Sequence, residues 1–132
     1  MSTKANSTFK NESWEEQPYL ETEDGGKLSR ATVRQAITGD IEGEAEIEWL
    51  MCYRPDETAD FVGLERVVGS IGDRSGSFVL ESTGTFDGRE ARGALAVVRG
   101  SGTGDLRGIV GRGEFRAPLG PEAEVSLDYG FE

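Results

Sequence analysis

Glu42-Gly43-Glu44-Ala45-Glu46-Ile47-Glu48-Trp49 places an acidic residue at every second position. Gly43, Ala45, Ile47, Trp49, Met51 and Tyr53 fall on the alternate positions. A strand sends successive side chains to opposite faces, so the run predicts one acidic face and one apolar face. On a helix the same glutamates would scatter around the axis. The alternation stops at Arg54-Pro55-Asp56-Glu57, where proline suits the first central position of a turn.

Strand-like segments follow on both sides of this one. Ala59 to Ser70 is rich in Val and Phe, and Asp73-Arg74-Ser75-Gly76 predicts a turn after it. Ser77 to Phe86 alternates, with Phe78 and Leu80 facing one way. Asp87-Gly88 is a tight-turn dipeptide and a hairpin signal. Ala91 to Arg99, Ile109 to Ala117 and Ala123 to Phe131 read as three more strands, the last two separated by the break from Pro118 to Pro121. Thr8 to Tyr19 reads as a first strand carrying Trp14. Leu28 to Thr38 reads two ways. Leu28, Ala31 and Ala36 could line a helix, while Thr32, Val33, Ile37 and Thr38 favour a strand, which is the reading adopted. About eight strands and no convincing helix predict an all-β antiparallel sandwich or barrel. The chain reads as one domain over 1–132, with 1–6 as a flexible tail.

Composition removes many mechanisms. The 132 residues contain no histidine, which excludes Ser-His-Asp triads, Cys-His pairs and histidine-ligated zinc. The single cysteine, Cys52, allows neither an internal disulfide nor a cysteine-cluster metal site, and it reads as a buried small hydrophobe or a reactive thiol. No cofactor or metal is expected. A net charge of −11 disfavours nucleic acid and anionic membrane surfaces as partners. Residues 1–7 carry no apolar leader and no long apolar run follows, so a cytoplasmic location is expected. Several strands are apolar on both faces, Val62, Leu64 and Val68 against Phe61 and Val67. A lone barrel buries only one face, so this predicts cover of the outer face by another subunit in a homo-oligomer.

The run from Gly100 to Gly113 is dense in glycine. It lacks the Gly-Lys-Ser/Thr end of a phosphate-binding loop. Arg107 also stands where a dinucleotide fingerprint needs its third glycine. Tight bending of strands at a barrel rim is the simpler role. Within it, Gly102-x-Gly104-x-Leu106-x-Gly108-x-x-Gly111 resembles the glycine signature of allene oxide cyclases and plant dirigent proteins, which are eight-stranded antiparallel barrels with an apolar lumen. A closer likeness is to a bacterial domain-of-unknown-function family grouped with the cyclase-type barrels. It is carried by Gly39–Gly43, Phe61–Gly69, Ser75–Leu80, Ser101–Gly108 and the closing Leu127-Asp128-Tyr129. The resemblance implies a single closed, about eight-stranded antiparallel β-barrel of the allene oxide cyclase-like type and says almost nothing about function. In allene oxide cyclases a carboxylate on the first strand serves the chemistry. Glu12 and Glu15 stand in that region, but their flanking residues do not match and no role transfers.

Inside a barrel, Trp14, Trp49, Met51, Tyr53, Phe61, Phe78 and Tyr129 either line a ligand cavity or form plain core. Glu65 and Arg66 are adjacent, so only one of them faces the lumen, and the turn after Tyr53 admits two registers. The reading adopted puts Phe61, Gly63, Glu65 and Val67 inside. Glu65 is then either an acid or base of raised pKa, or half of an ion pair with an arginine such as Arg92 or Arg99. The expected function is binding of a small apolar or aromatic molecule in the lumen. The alternative is a cofactor-free cyclase or isomerase acting on a hydrophobic substrate held there.

Overall fold

In the computed structural model, which describes residues 2–132, the chain runs β1 (Thr3–Glu21), β2 (Lys27–Gly39), β3 (Ile41–Tyr53), β4 (Ala59–Ile71), β5 (Arg74–Phe86), β6 (Glu90–Val97), β7 (Thr103–Gly104), β8 (Ile109–Pro118) and β9 (Glu122–Phe131). All pairings are antiparallel. β1 meets both β2 and β9, and β4 meets β5, so eight long strands close on themselves in a barrel. The two-residue β7 pairs with Gly76 and Ser77 at the end of β5. There is no helix among the described residues.

The alternation predicted for β3 is present. Ala45, Ile47 and Met51 are buried, whereas Glu42, Glu44, Glu46 and Glu48 point to solvent. The outward glutamates meet arginines of β2, Arg30 to Glu48 at 2.6 Å and Arg34 to Glu46 at 3.5 Å. The ambiguous segment at Leu28 to Thr38 is a strand, with Ala31, Val33 and Ile37 alternating into the core.

Two boundaries differ from the sequence reading. Residues 3–6, expected within a flexible tail, open β1. Ala5 lies opposite Leu127 and is 1% exposed, and this ladder joins β1 to β9 and so closes the barrel. The turn after β4 is Gly72-Asp73 rather than Asp73 to Gly76, because Ile71 pairs directly with Arg74. Gly72 takes a φ of 62°, which suits the first central position of a two-residue hairpin loop and costs glycine little.

The two ends of the barrel are filled differently. At one end, Ile41, Ile71, Phe78, Leu80, Leu106, Ile109 and Leu127 pack with their neighbours into a continuous core. The glycine-rich run lies here. It folds into a hydrogen-bonded loop that drives Leu106 into the end of the barrel, fully buried. Gly108 follows with a φ of 85°, and a Cβ there would lie 2.7 Å from the Glu132 carbonyl oxygen. The glycines therefore serve a plug. At the other end a smaller cluster of Ala31, Val33, Ile47, Met51 and Phe61 leaves space. The outer face of β3 and β4 keeps Leu50, Val62, Leu64 and Val68 about half exposed.

Replacing the plug side chain, Leu106→Ala, is expected to lower unfolding stability by about 2–5 kcal/mol, the range for a buried leucine truncated in a packed core. Denaturant titration reads this as a lower midpoint at unchanged slope. A loss below about 1 kcal/mol would show that the loop is not part of the core.

Candidate functional site

The space at the loosely filled end is a cavity of about 280 Å³ open at its rim. Its wall is rich in aromatic rings, and three of them each lie over a glycine on the neighbouring strand. Trp49 is directly opposite Gly63, Phe61 opposite Gly84, and Phe115 opposite Gly93. A Cβ at these glycines would stand 2.6 Å, 2.7 Å and 2.7 Å from the respective rings. Only glycine lets the rings lie flat against the sheet, where any larger residue would push them across the lumen. The rings also touch one another. Trp49 and Phe61 meet edge to face at 4.8 Å, and Phe115 lies 6.2 Å from Trp49 and 6.1 Å from Phe61.

The floor is polar. Glu65 projects from the middle of β4, between Ile47 of β3 and Leu80 of β5, and is 4% exposed. Gln35 of β2 and Ser82 of β5 join it. Gln35 Nε2 donates to Asn11 Oδ1 at 2.8 Å. Three buried side-chain atoms have no hydrogen-bond partner among the described residues: Gln35 Oε1, Glu65 Oε2 and Ser82 Oγ. All three belong to residues lining this one cavity. Buried polar groups are normally paired, so three orphans on residues that line one cavity need an explanation. Burial in apolar surroundings pushes the Glu65 carboxyl up to about 8.

The rim is held by Glu16. Its carboxylate accepts from Trp14 Nε1 at 3.0 Å, Ser29 Oγ at 2.5 Å and Tyr53 OH at 3.0 Å. Burial first, and this carboxylate second, push the Tyr53 hydroxyl up to about 12. Glu16 reaches inward because β1 slips register between Asn11 and Ser13. That bulge exchanges the two faces, so Phe9 and Asn11 line the cavity before it and Trp14 after it. Glu12 and Glu15 stay exposed.

Of the residues singled out in the sequence, Trp49, Met51, Tyr53, Phe61 and Glu65 line the cavity, and Trp14 stands half exposed at its mouth. Phe61, Glu65 and Val67 are buried and Gly63 faces Trp49, which is the register adopted for β4. Phe78 and Tyr129 do not line it. Phe78 is sealed in the plugged core, and Tyr129 packs edge-on against Phe131 at the same end. The arginine partners suggested for Glu65 are engaged elsewhere, Arg92 with Glu90 at 2.6 Å and Arg99 with Glu132 at 3.3 Å. Cys52, expected to be buried, is exposed, because it alternates with Met51 and Tyr53 onto the outer face. Phe115, Gln35 and Ser82 were missed. The step of two from Gly113 through Phe115 to Ala117 was the available signal for Phe115.

The family model described as "Protein of unknown function (DUF3224)" matches residues 5–129. The chain belongs to DUF3224. A crystal structure of a protein with unknown function from the same family, from Shewanella oneidensis MR-1, aligns with this DUF3224 chain at a TM-score of 0.78 and 28% identity. The alignment covers 100% of this chain and 99% of that one. No curated protein matches. The Gly102–Gly108 stretch sits in the plug of this DUF3224 barrel, at the end opposite the cavity mouth.

The buried carboxyl has a measurable consequence. Its folded pKa of about 8 lies above the ordinary 4.5, so between those values the folded chain keeps a proton that the unfolded chain releases. Stability should therefore fall as pH rises from about 5 to 8, by up to about 1.4 kcal/mol per pH unit, and level off above that. Glu65→Gln should lack this component. Denaturant unfolding of both proteins across that range checks it, and parallel pH profiles would contradict the burial of Glu65.

Proposed function

We propose that this protein binds a small molecule with an apolar, aromatic body in the open half of its barrel. The observation that carries this reading is the juxtaposition in one cavity of an aromatic wall and three buried, unpartnered polar atoms. Ligand sites typically combine apolar walls with a few polar groups that fix orientation. A structural core of the same size would be filled, and its polar atoms paired. The glycines behind the rings support the same reading, since larger residues at Gly63, Gly84 or Gly93 would push the rings into the space.

A second reading is favoured by Glu65 alone. A carboxyl raised to about 8 with no ion-pair partner is suited to give or take a proton within a bound substrate. A cofactor-free isomerase or cyclase would need little else besides a cavity that holds a flexible substrate in one conformation. The allene oxide cyclase-like glycine signature lends this reading support through fold alone.

Binding of 2-phenylethanol tests the first reading, followed through tryptophan fluorescence and by thermal shift. Saturable binding is expected to the native protein. Ala91→Trp, which puts an indole into the cavity from β6, should abolish it while the circular dichroism spectrum is unchanged. Binding that survives in Ala91→Trp would place the ligand outside the barrel.

A further inference from the structure

We infer that the occupant of the cavity is a small primary amine, bound as its ammonium ion with its N–H groups donated to the floor oxygens of Gln35, Glu65 and Ser82. This rests on the reading of the cavity as a ligand site and adds the chemical class of the ligand. The floor holds three unpaired oxygen atoms, of which Gln35 Oε1 needs a donor and Glu65 Oε2 needs one once that carboxyl is ionised. Gln35 Oε1 can only accept, and the amide nitrogen of that side chain is already committed to Asn11. Glu65 Oε2 and Ser82 Oγ are equally buried and unpaired. The three come from three different strands, so no single turn of backbone can satisfy them. An alkylammonium group carries three N–H donors, whereas an alcohol carries one.

Charge points the same way. Among the described residues no lysine or arginine lines the cavity, and the only acidic lining residues are Glu65 and Glu122. A carboxylate ligand would find no cationic side chain in the lining to neutralise it. A cation meets the opposite situation, a carboxyl without a partner in a cavity that Trp49, Phe61 and Phe115 also line. Burying an ammonium is costly unless it is paired and hydrogen-bonded, and the floor supplies both conditions.

The pairing moves a proton. The apolar surroundings of the floor keep Glu65 protonated at neutral pH. Seating an ammonium makes the carboxylate the better partner, so the Glu65 proton leaves to solvent as the ion pair forms. The strand neighbours facing Glu65, Ile47 and Leu80, do not titrate. Tyr53 on β3 and Glu122 on β9 are the other titratable lining groups, and Glu16 on β1 is hydrogen-bonded to Tyr53.

Isothermal titration of the full chain with phenethylamine, 2-phenylethanol and 3-phenylpropionate separates the possibilities, since the three share one ring and differ at the polar end. Phenethylamine should bind at least about tenfold more tightly than the alcohol at pH 8, and the acid should not bind. Its affinity should rise about tenfold from pH 6 to pH 7 and level off above pH 8, with proton release visible as a dependence of heat on buffer ionisation. In Glu65→Gln the preference for amine over alcohol should vanish, with the fold checked by the circular dichroism spectrum. Equal affinities for amine and alcohol, or an amine preference that survives in Glu65→Gln, would overturn the assignment and leave the cavity reading standing. Failure of all three compounds to bind the native protein would overturn both.

Discussion

Everything in the cavity depends on the register in which β3 meets β4. Ile47 stands opposite Glu65, Trp49 opposite Gly63 and Met51 opposite Phe61. A slip of one residue would turn Val62, Leu64, Arg66 and Val68 inward and send Glu65 to solvent. Two features oppose the slip. The glutamates of β3 must face water, so Ala45, Ile47, Trp49 and Met51 must face in. The connecting turn is tied by Arg54 N–H to the Thr58 carbonyl at 2.8 Å and by Asp56 Oδ1 to the Thr58 hydroxyl at 2.6 Å, with Glu57 held at a φ of 71°. A non-glycine residue at positive φ persists only where its surroundings determine it, and here they hold a hairpin in register.

A closed barrel has one interior, and this one divides it. The plugged half carries the packing, with Leu106 inserted by the glycine loop and Phe78 and Leu80 fully enclosed. The open half gives up packing to keep its space. Flat aromatic rings over glycines make a smooth wall, and a carboxyl with no counter-charge stays in the floor although burial raises its pKa and weakens the fold as pH rises. Native structures retain such costs at functional sites, where strained or unsatisfied groups are part of the task. The rigid half supports the costly one.

The errors of sequence reading share a cause. Phe78 and Tyr129 were grouped with Trp49 because all are aromatic and inward, but inwardness does not say which end of a tube a residue occupies. Height along the barrel depends on how far each strand is staggered against its neighbours, and that stagger accumulates around the whole sheet. Glu16 escaped notice because a bulge after Asn11 exchanges the two faces of β1, and nothing in Asn11-Glu12-Ser13 announces it. Gln35 and Ser82 looked like ordinary polar residues in strands until closure brought them to one surface.

The alternation of charge and hydrophobe from Glu42 to Tyr53 was enough to establish strands, their inward residues and, with the glycine run, a barrel, because side-chain direction along a strand is a local property with a period of two. The same pattern brought Trp49, Met51, Phe61 and Glu65 to one interior. Which of them share a cavity, that Glu65 has no arginine beside it, and that three oxygens on β2, β4 and β5 lack partners were decided only when the sheet closed. Those facts concern distances between strands far apart in the chain, and only the stagger and closure of the tertiary structure set them.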